Sequence, residues 1–358
     1  MYQSSVIPGL LAIYLELTYV IFLYHERYSM RKTIIISFLL LFSSLLFYSC
    51  ATTGKSQSLY PSSSDVIIFD AGEYGNRVDL KTYDEIAGEL GYSRKRVDYN
   101  FINNKNSFFD KNKTKRKFNV LILTGGEPHL WFAVGQGINC DGVKNILEFI
   151  KSGGSVIAIC FCGSSLFSKS YDWQNPTLSD AQGGHWQATN QGPGWFKRFC
   201  GVYAFKGTIR APQDSNKPYP TTKYLPIKMN LENELVREAN LPSVIYQIVV
   251  GGGSIIPDEG QPLDVVGWYP NGTVAIGIVP YGAGQIILSN PHPNITGDRA
   301  ERFRDFVMHV HAERWGWDEK MIARGEEIIK INKDLDGPKP DWELSKAMLS
   351  YAYKKASH

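Results

Sequence analysis

Short runs of consecutive apolar residues recur along this chain, and stretches of helical period lie between them. Asp65 to Asp70 encloses Val-Ile-Ile-Phe and is closed by Ala71-Gly72, after which Leu80 to Leu90 places its apolar residues at helical spacing and stops at Gly91. Phe118 to Leu123 is a second apolar run, stopped by Thr124-Gly125-Gly126. Gly142 to Ile150 is an amphipathic helix closed by Gly153-Gly154, and Ser155 to Ile159 is a third apolar run that leads straight into Cys160. A strand apolar on both sides is one that helices cover on both sides. The alternation therefore predicts an α/β fold, a doubly wound and mostly parallel sheet with its ligands at the carboxyl ends of the strands.

Beyond Cys160 the pattern changes. Tyr171 to Pro220 is rich in Gly, Pro, Asn, Gln and Trp without a clear period and reads as long loops and short strands over the site. Strand patterns resume at Val244 to Val250, Leu263 to Tyr269, Val274 to Val279 and Gln285 to Leu288, with Asn271-Gly272 as a hairpin signal between two of them. A helix is predicted from about Asp298 to Glu313. Two more are predicted in a helical C-terminal extension, 316–358, parted by Gly337-Pro338-Lys339-Pro340. The α/β body is thus expected to span 65–315.

The amino terminus follows a different logic. From Met30, two positive charges precede about sixteen uncharged, mostly apolar residues, which end at Ser49-Cys50. That is the layout of a signal peptide, 30–49. Its end resembles the lipobox of bacterial lipoproteins, which implies lipidation of Cys50 as the first mature residue. A plain transmembrane anchor is the alternative, since the run approaches spanning length. Residues 1–29 fit neither scheme and read as an upstream extension before the true start. If translated, they add a second apolar segment. After Cys50 the small, polar stretch to Ser64 reads as a flexible tether. Both alternatives place the protein in the cell envelope, held to a membrane and facing the periplasm or cell exterior.

Composition adds limits more than direction. With 43% apolar and 20% charged residues the chain is globular. The formal charge is +3 over the 358 residues; residues 1–50 hold three Lys/Arg and two Asp/Glu, so the remainder carries 35 − 33 = +2. Such a balance makes no case for nucleic acid as a partner. One basic cluster, Lys111, Lys113, Lys115, Arg116 and Lys117, reads as a solvated loop. Lipidation of Cys50 leaves Cys140, Cys160, Cys162 and Cys200, among which a disulfide such as Cys140 with Cys200 can form in an oxidising compartment. No second Cys/His pair stands at zinc spacing, so neither a metal nor another cofactor is expected.

Two segments carry chemistry. In Gly153-Gly-Ser-Val-Ile-Ala-Ile-Cys160-Phe-Cys162-Gly163 a cysteine sits where a strand turns sharply into a helix. This geometry exposes the side chain and aims the following N–H groups at a reacting carbonyl. The helix dipole and a nearby imidazole would favour the reactive thiolate. In Gly284 to Asn294 a strand ends in a turn bearing His292, flanked by Pro291 and Pro293, with Asn294 two residues on.

The order of LILTGG ending at Gly126, SGGSVIAIC ending at Cys160 and YGAGQIILSNPHPN ending at Asn294 resembles the class I glutamine-amidotransferase-like superfamily, a flavodoxin-like fold. More narrowly it looks like the amino-terminal domain of some biotin-protein ligases and related stand-alone bacterial proteins. The likeness covers roughly residues 65 to 310. It implies Cys160 as nucleophile, His292 as its base, Asn294 as the residue orienting that base, and an oxyanion hole from N–H groups near Gly126 and Phe161. Gly125, Glu127, His129 and Cys162 are possible pocket residues. Cys162 stands either in place of an elbow glycine or as a resolving thiol beside a redox-active Cys160. Ala158 and Cys162, where the pattern holds glycine, predict a deformed turn.

The resulting expectation is a thiol-dependent hydrolase or amidase of a small-molecule or peptide-like amide. Amidotransfer is not expected, because the segment after 315 is too short for an acceptor synthetase. The alternative is a non-catalytic binding or scaffolding lipoprotein that retains the fold.

Overall fold

The computed structural model describes residues 64–72, 77–112, 115–126, 132, 137–172, 191–210, 223–249, 253–292 and 340–356. The chain divides into two units, Met1–Pro61 and Ser62–His358, and every described residue belongs to the second. The signal, the Cys50 lipidation site, the tether and the helix expected from Asp298 all lie outside the described residues.

Five parallel strands form the heart of the sheet, in the order β2-β1-β3-β4-β13: β1 (Val66–Phe69), β2 (Arg94–Val97), β3 (Val120–Leu123), β4 (Ser155–Ile159) and β13 (Gly284–Ser289). β1, β3 and β4 are buried along their whole length, as their unbroken apolar runs require. The first crossover, through helix α1 (Arg77–Glu89), steps from β1 outward to β2. A later one, through α4 (Cys140–Lys151), steps the other way, from β3 to β4. With right-handed crossovers these helices cover opposite faces, which is the expected doubly wound arrangement. Two short helices, α2 (Tyr99–Asn103) and α3 (Lys105–Phe108), pack beside α4.

β2 had no apolar signature. Arg94-Lys-Arg-Val97 is a charged edge strand with one buried residue, and edge strands avoid further pairing by carrying charge.

A mostly antiparallel extension continues the sheet past β13. β12 (Val274–Tyr281) pairs β13, and β10 (Ser254–Pro257), β7 (Phe205–Arg210), β5 (Ser168–Asp172) and β6 (Gln191–Pro193) follow in that order, with β7 and β5 paired parallel. A branch of β11 (Asp264–Trp268), β8 (Lys223–Met229) and β9 (Val244–Val249) leaves from β12. The Asn271-Gly272 hairpin joins β11 to β12 as expected, with Gly272 at φ +81. Helix α5 (Cys160–Phe167) follows β4 directly, and α6 (Trp195–Cys200) and α7 (Glu234–Glu238) are short.

The C-terminal segment is helical over α8 (Pro340–Ala356) and is a layer of the domain rather than an appendage. Leu344, Met348, Leu349 and Ala352 are buried against α1, β3, β4 and β13. Arg116, read from sequence as part of a solvated loop, ties the ends of two helices together. Its guanidinium donates to the Ser152 carbonyl at the end of α4 and to the Ala356 carbonyl at the end of α8. Cys140 at the start of α4 and Cys200 at the end of α6 form a disulfide, with Cα atoms 5.4 Å apart.

Candidate active site

The carboxyl rim of the parallel strands gathers three side chains from distant parts of the chain. Cys160 leaves the end of β4 and opens α5 with φ +70, a left-handed backbone that a side-chain-bearing residue seldom adopts. Such strain persists where the surrounding structure imposes it, and it clusters at active sites. Ile159, at the helix N-cap, offers no side-chain acceptor, so no cap occupies the first-turn N–H groups. The turn forms despite Ala158 and Cys162. The close approach is made at Gly163, where a Cβ would lie 3.1 Å from the Ala158 carbonyl carbon. Gly163, one position after Cys162, thus allows helix and strand to approach closely at the elbow.

β13 runs parallel to β4 with Ser289 level with Ile159, so the two strands leave the sheet side by side. The exit turn is held by the Ser289 hydroxyl donating to the Pro291 carbonyl (3.1 Å) and by the Asn290 N–H donating to the Ala275 carbonyl (3.2 Å). It delivers His292 into the protein at 3% exposure, and Cys160 is 8% exposed. The thiol and the imidazole are hydrogen-bonded.

The third group is Asp79, in the first turn of α1 and fully buried. His292 Nδ1 lies 3.2 Å from each of its carboxylate oxygens, which leaves Nε2 for the thiol. The Gly125 N–H donates to Asp79 Oδ2 at 3.1 Å and holds the carboxylate from the other side. A Cβ at Gly125 would lie 2.8 Å from His292 Cε1, 3.0 Å from Cys160 Cβ and 3.2 Å from Asp79 Oδ2, so the glycine sits where all three residues meet. The Gly125-Gly126 pair read as a strand stop is therefore also the floor of the site.

Electrostatics follow from this burial. Desolvation alone would lower the His292 pKa, but the Asp79 carboxylate and the Cys160 sulfur outweigh it and push the value up to about 10. The imidazole is therefore held protonated at neutral pH, between the Cys160 sulfur and the Asp79 carboxyl group.

Sequence reasoning placed Cys160, His292, Gly125, Gly126 and Phe161 at this rim, and the structure brings them together there. Phe161 is buried directly after the nucleophile position, edge-on to Tyr171 with ring centres 6.1 Å apart. Cys162 lies in the first turn of α5. Glu127, His129 and Asn294 lie outside the described residues, and the Nδ1 partner that is described is Asp79. Sequence reasoning missed Asp79; the one signal for it was an acid in the first turn of the helix after β1, on the side of the sheet where ligands bind. Among the described residues no three His, Cys, Asp or Glu side chains form a metal-binding group.

No family model matches the chain, and no curated protein matches its sequence. Among solved structures it is similar to a glutamine amidotransferase from Thermotoga maritima at 11% identity and TM-score 0.44, covering 82% of this chain and all of that one. It is also similar to a putative ThuA-like protein from Parabacteroides merdae, at 11% identity and TM-score 0.38, over 78% of this chain and 99% of that one. A third likeness is to a β-galactosidase from Bacillus circulans, at 14% identity and TM-score 0.35, covering 74% of this chain and 33% of the enzyme.

Proposed function

We propose that this protein is a thiol-dependent hydrolase of a small amide or peptide-like substrate, with Cys160 as nucleophile, His292 as proton carrier and Asp79 as the residue that orients His292. The observation that carries the reading is the left-handed Cys160 at a strand-to-helix elbow, hydrogen-bonded to a buried imidazole whose other nitrogen faces a buried carboxylate. In this reading the Cys160 thiolate attacks the substrate carbonyl carbon, and the negative charge moves to the carbonyl oxygen. N–H groups near Gly126 and Phe161 stabilise that oxyanion. The imidazolium gives its proton to the departing amine, which leaves a thioester on Cys160. His292, now neutral, takes a proton from water as the water attacks the thioester, and the carboxylic acid is released with the thiolate and imidazolium restored. Asp79 keeps Nδ1 protonated and supplies the negative charge that an amide at the orienting position would lack.

Alkylation with iodoacetamide across a pH series, mapped by fragment ions to Cys160 rather than Cys162, tests this. Native Cys160 is expected to react well below the ordinary thiol pKa of about 8.5, and His292→Ala to return it to ordinary behaviour. Ordinary reactivity in the native protein would favour the alternative, a binding or scaffolding protein that retains the fold without turnover.

The narrower likeness to the amino-terminal domain of biotin-protein ligases belongs to this proposal and rests on the Gly126, Cys160 and His292 segments. We further propose that the protein is exported and tethered to a membrane through Cys50 or its preceding apolar run. The Cys140–Cys200 disulfide supports this, because such bonds persist in oxidising compartments. Radiolabelled palmitate should enter the native chain and not Cys50→Ala; incorporation in both would remove Cys50 as the acceptor.

A further inference from the structure

We infer that Tyr269 presents its phenol hydroxyl to an acceptor oxygen of the molecule held against Cys160, so that the site has a side-chain hydrogen-bond donor besides its backbone N–H groups. This rests on the active-site reading above and extends it to the chemistry of the ligand, which must carry a carbonyl-type oxygen at that point.

The sheet register places Tyr269 at the same rim. Ile159 of β4 is level with Ser289 of β13, Ser289 with Ile276 of β12, and Val274 of β12 with Trp268 of β11. Cys160, His292 and Tyr269 therefore leave the sheet along one edge, each just past the end of its strand. Successive residues of a strand face opposite sides. Trp268 lines an outer groove of about 550 Å³ with Pro226, Met229 and Val244, whereas Tyr269 turns inward and is 6% exposed.

The turn that carries Tyr269 is rigid and tied to the nucleophile's neighbour. The Tyr269 N–H donates to the Thr273 carbonyl and the Gly272 N–H to the Tyr269 carbonyl, both at 2.9 Å. The Ser254 hydroxyl donates to Thr273 Oγ1 at 2.7 Å. Gly253, just before Ser254, packs so closely that a Cβ there would lie 2.9 Å from Phe161 Cδ2. The hairpin thus bears on the residue whose N–H would serve the oxyanion hole.

Within this frame the Tyr269 hydroxyl is buried with no hydrogen-bond partner among the described residues. A buried donor without an acceptor is costly, and one beside a catalytic cysteine is placed to receive an acceptor from a bound molecule. Burial first, and then the charge of Cys160, raise its pKa, so the phenol stays protonated and can only donate to an anionic oxygen.

The full chain and its Tyr269→Phe variant test this with propionaldehyde, whose carbonyl carbon the Cys160 thiolate attacks while the His292 imidazolium gives its proton to the oxygen, forming a hemithioacetal. Its oxygen starts as the aldehyde carbonyl and bears the developing negative charge, as a substrate oxygen would. The readout is the aldehyde concentration that halves iodoacetamide labelling of Cys160. Tyr269→Phe is expected to raise that concentration about tenfold or more, the scale for one hydrogen bond to a charged oxygen. The thermal midpoint should stay level or rise, because the lost hydroxyl has no partner among the described residues. Equal protection of both proteins overturns the inference and leaves the active-site reading standing. An equal fall in the labelling rate without aldehyde, or a fall in thermal midpoint, overturns it in favour of a role on the thiolate or in packing. A native Cys160 that takes no aldehyde and labels as an ordinary thiol overturns both.

Discussion

His292, Asp79 and Cys160 are single residues whose behaviour depends on each other's charge. His292 has its folded pKa raised from about 6.5 to about 10, so its contribution to stability is fully present below about pH 6.5 and is lost as pH rises through about 10. The thermal midpoint of the native protein should fall across that window, and Asp79→Asn should flatten the dependence. The same substitution removes the carboxylate charge while keeping its shape. Burial then pulls the imidazole down, and the His292 Hε1 NMR titration midpoint should move to lower pH. An unshifted midpoint would remove Asp79 from the site. Gly125→Ala tests convergence at one atom, since its methyl would enter the space between His292 Cε1 and Cys160 Cβ. A displacement of about 1 Å should lower the reactivity of Cys160 by about 100-fold, with the fold retained in circular dichroism.

At the scale of elements, α8 does more than its place in the sequence suggests. It buries Leu344, Met348, Leu349 and Ala352 over the parallel strands, and its carboxyl end is held by Arg116. Met348→Ala should cost about 2–5 kcal/mol by leaving a cavity in that layer, read as a shift of the urea midpoint. A loss below about 0.5 kcal/mol, the range of surface substitutions, would mean α8 is peripheral. β1, β3 and β4 were legible because a fully covered strand must be apolar throughout, and β13 by its apolar run from Ile286 to Leu288. β2 and α8 were not. An edge strand exposes its side chains, so Arg94-Lys-Arg needed no apolar pattern, and α8 is partnered by α1 and β4, which lie far away in the chain.

For the whole molecule, the Cys140–Cys200 bond closes a loop with a sequence separation of 60 and joins α4 to α6. In the chain-entropy account such a loop contributes about 4 kcal/mol. Reduction with dithiothreitol should lower the thermal midpoint of native protein and leave Cys140→Ser/Cys200→Ser unaffected. Equal sensitivity of the two would place the effect at other thiols. The disulfide also ties the region after α5 to the parallel core, in the part of the chain where sequence patterning was weakest.

The linear sequence determined the order of buried strands, the rim to which their ends lead, and the two segments bearing Cys160 and His292, because apolar runs, Gly-Gly stops and turn residues act over a few neighbours. Only the tertiary structure decided that Asp79 faces His292 across 213 positions, that Gly163 relieves the elbow, that Arg116 closes two helices, and that Tyr269 lies on the same edge as Cys160. Those pairings are hydrogen bonds and close contacts between remote residues. Nothing local distinguishes Asp79 or Tyr269 from other acids and phenols until folding removes water from around them and brings their partners within reach.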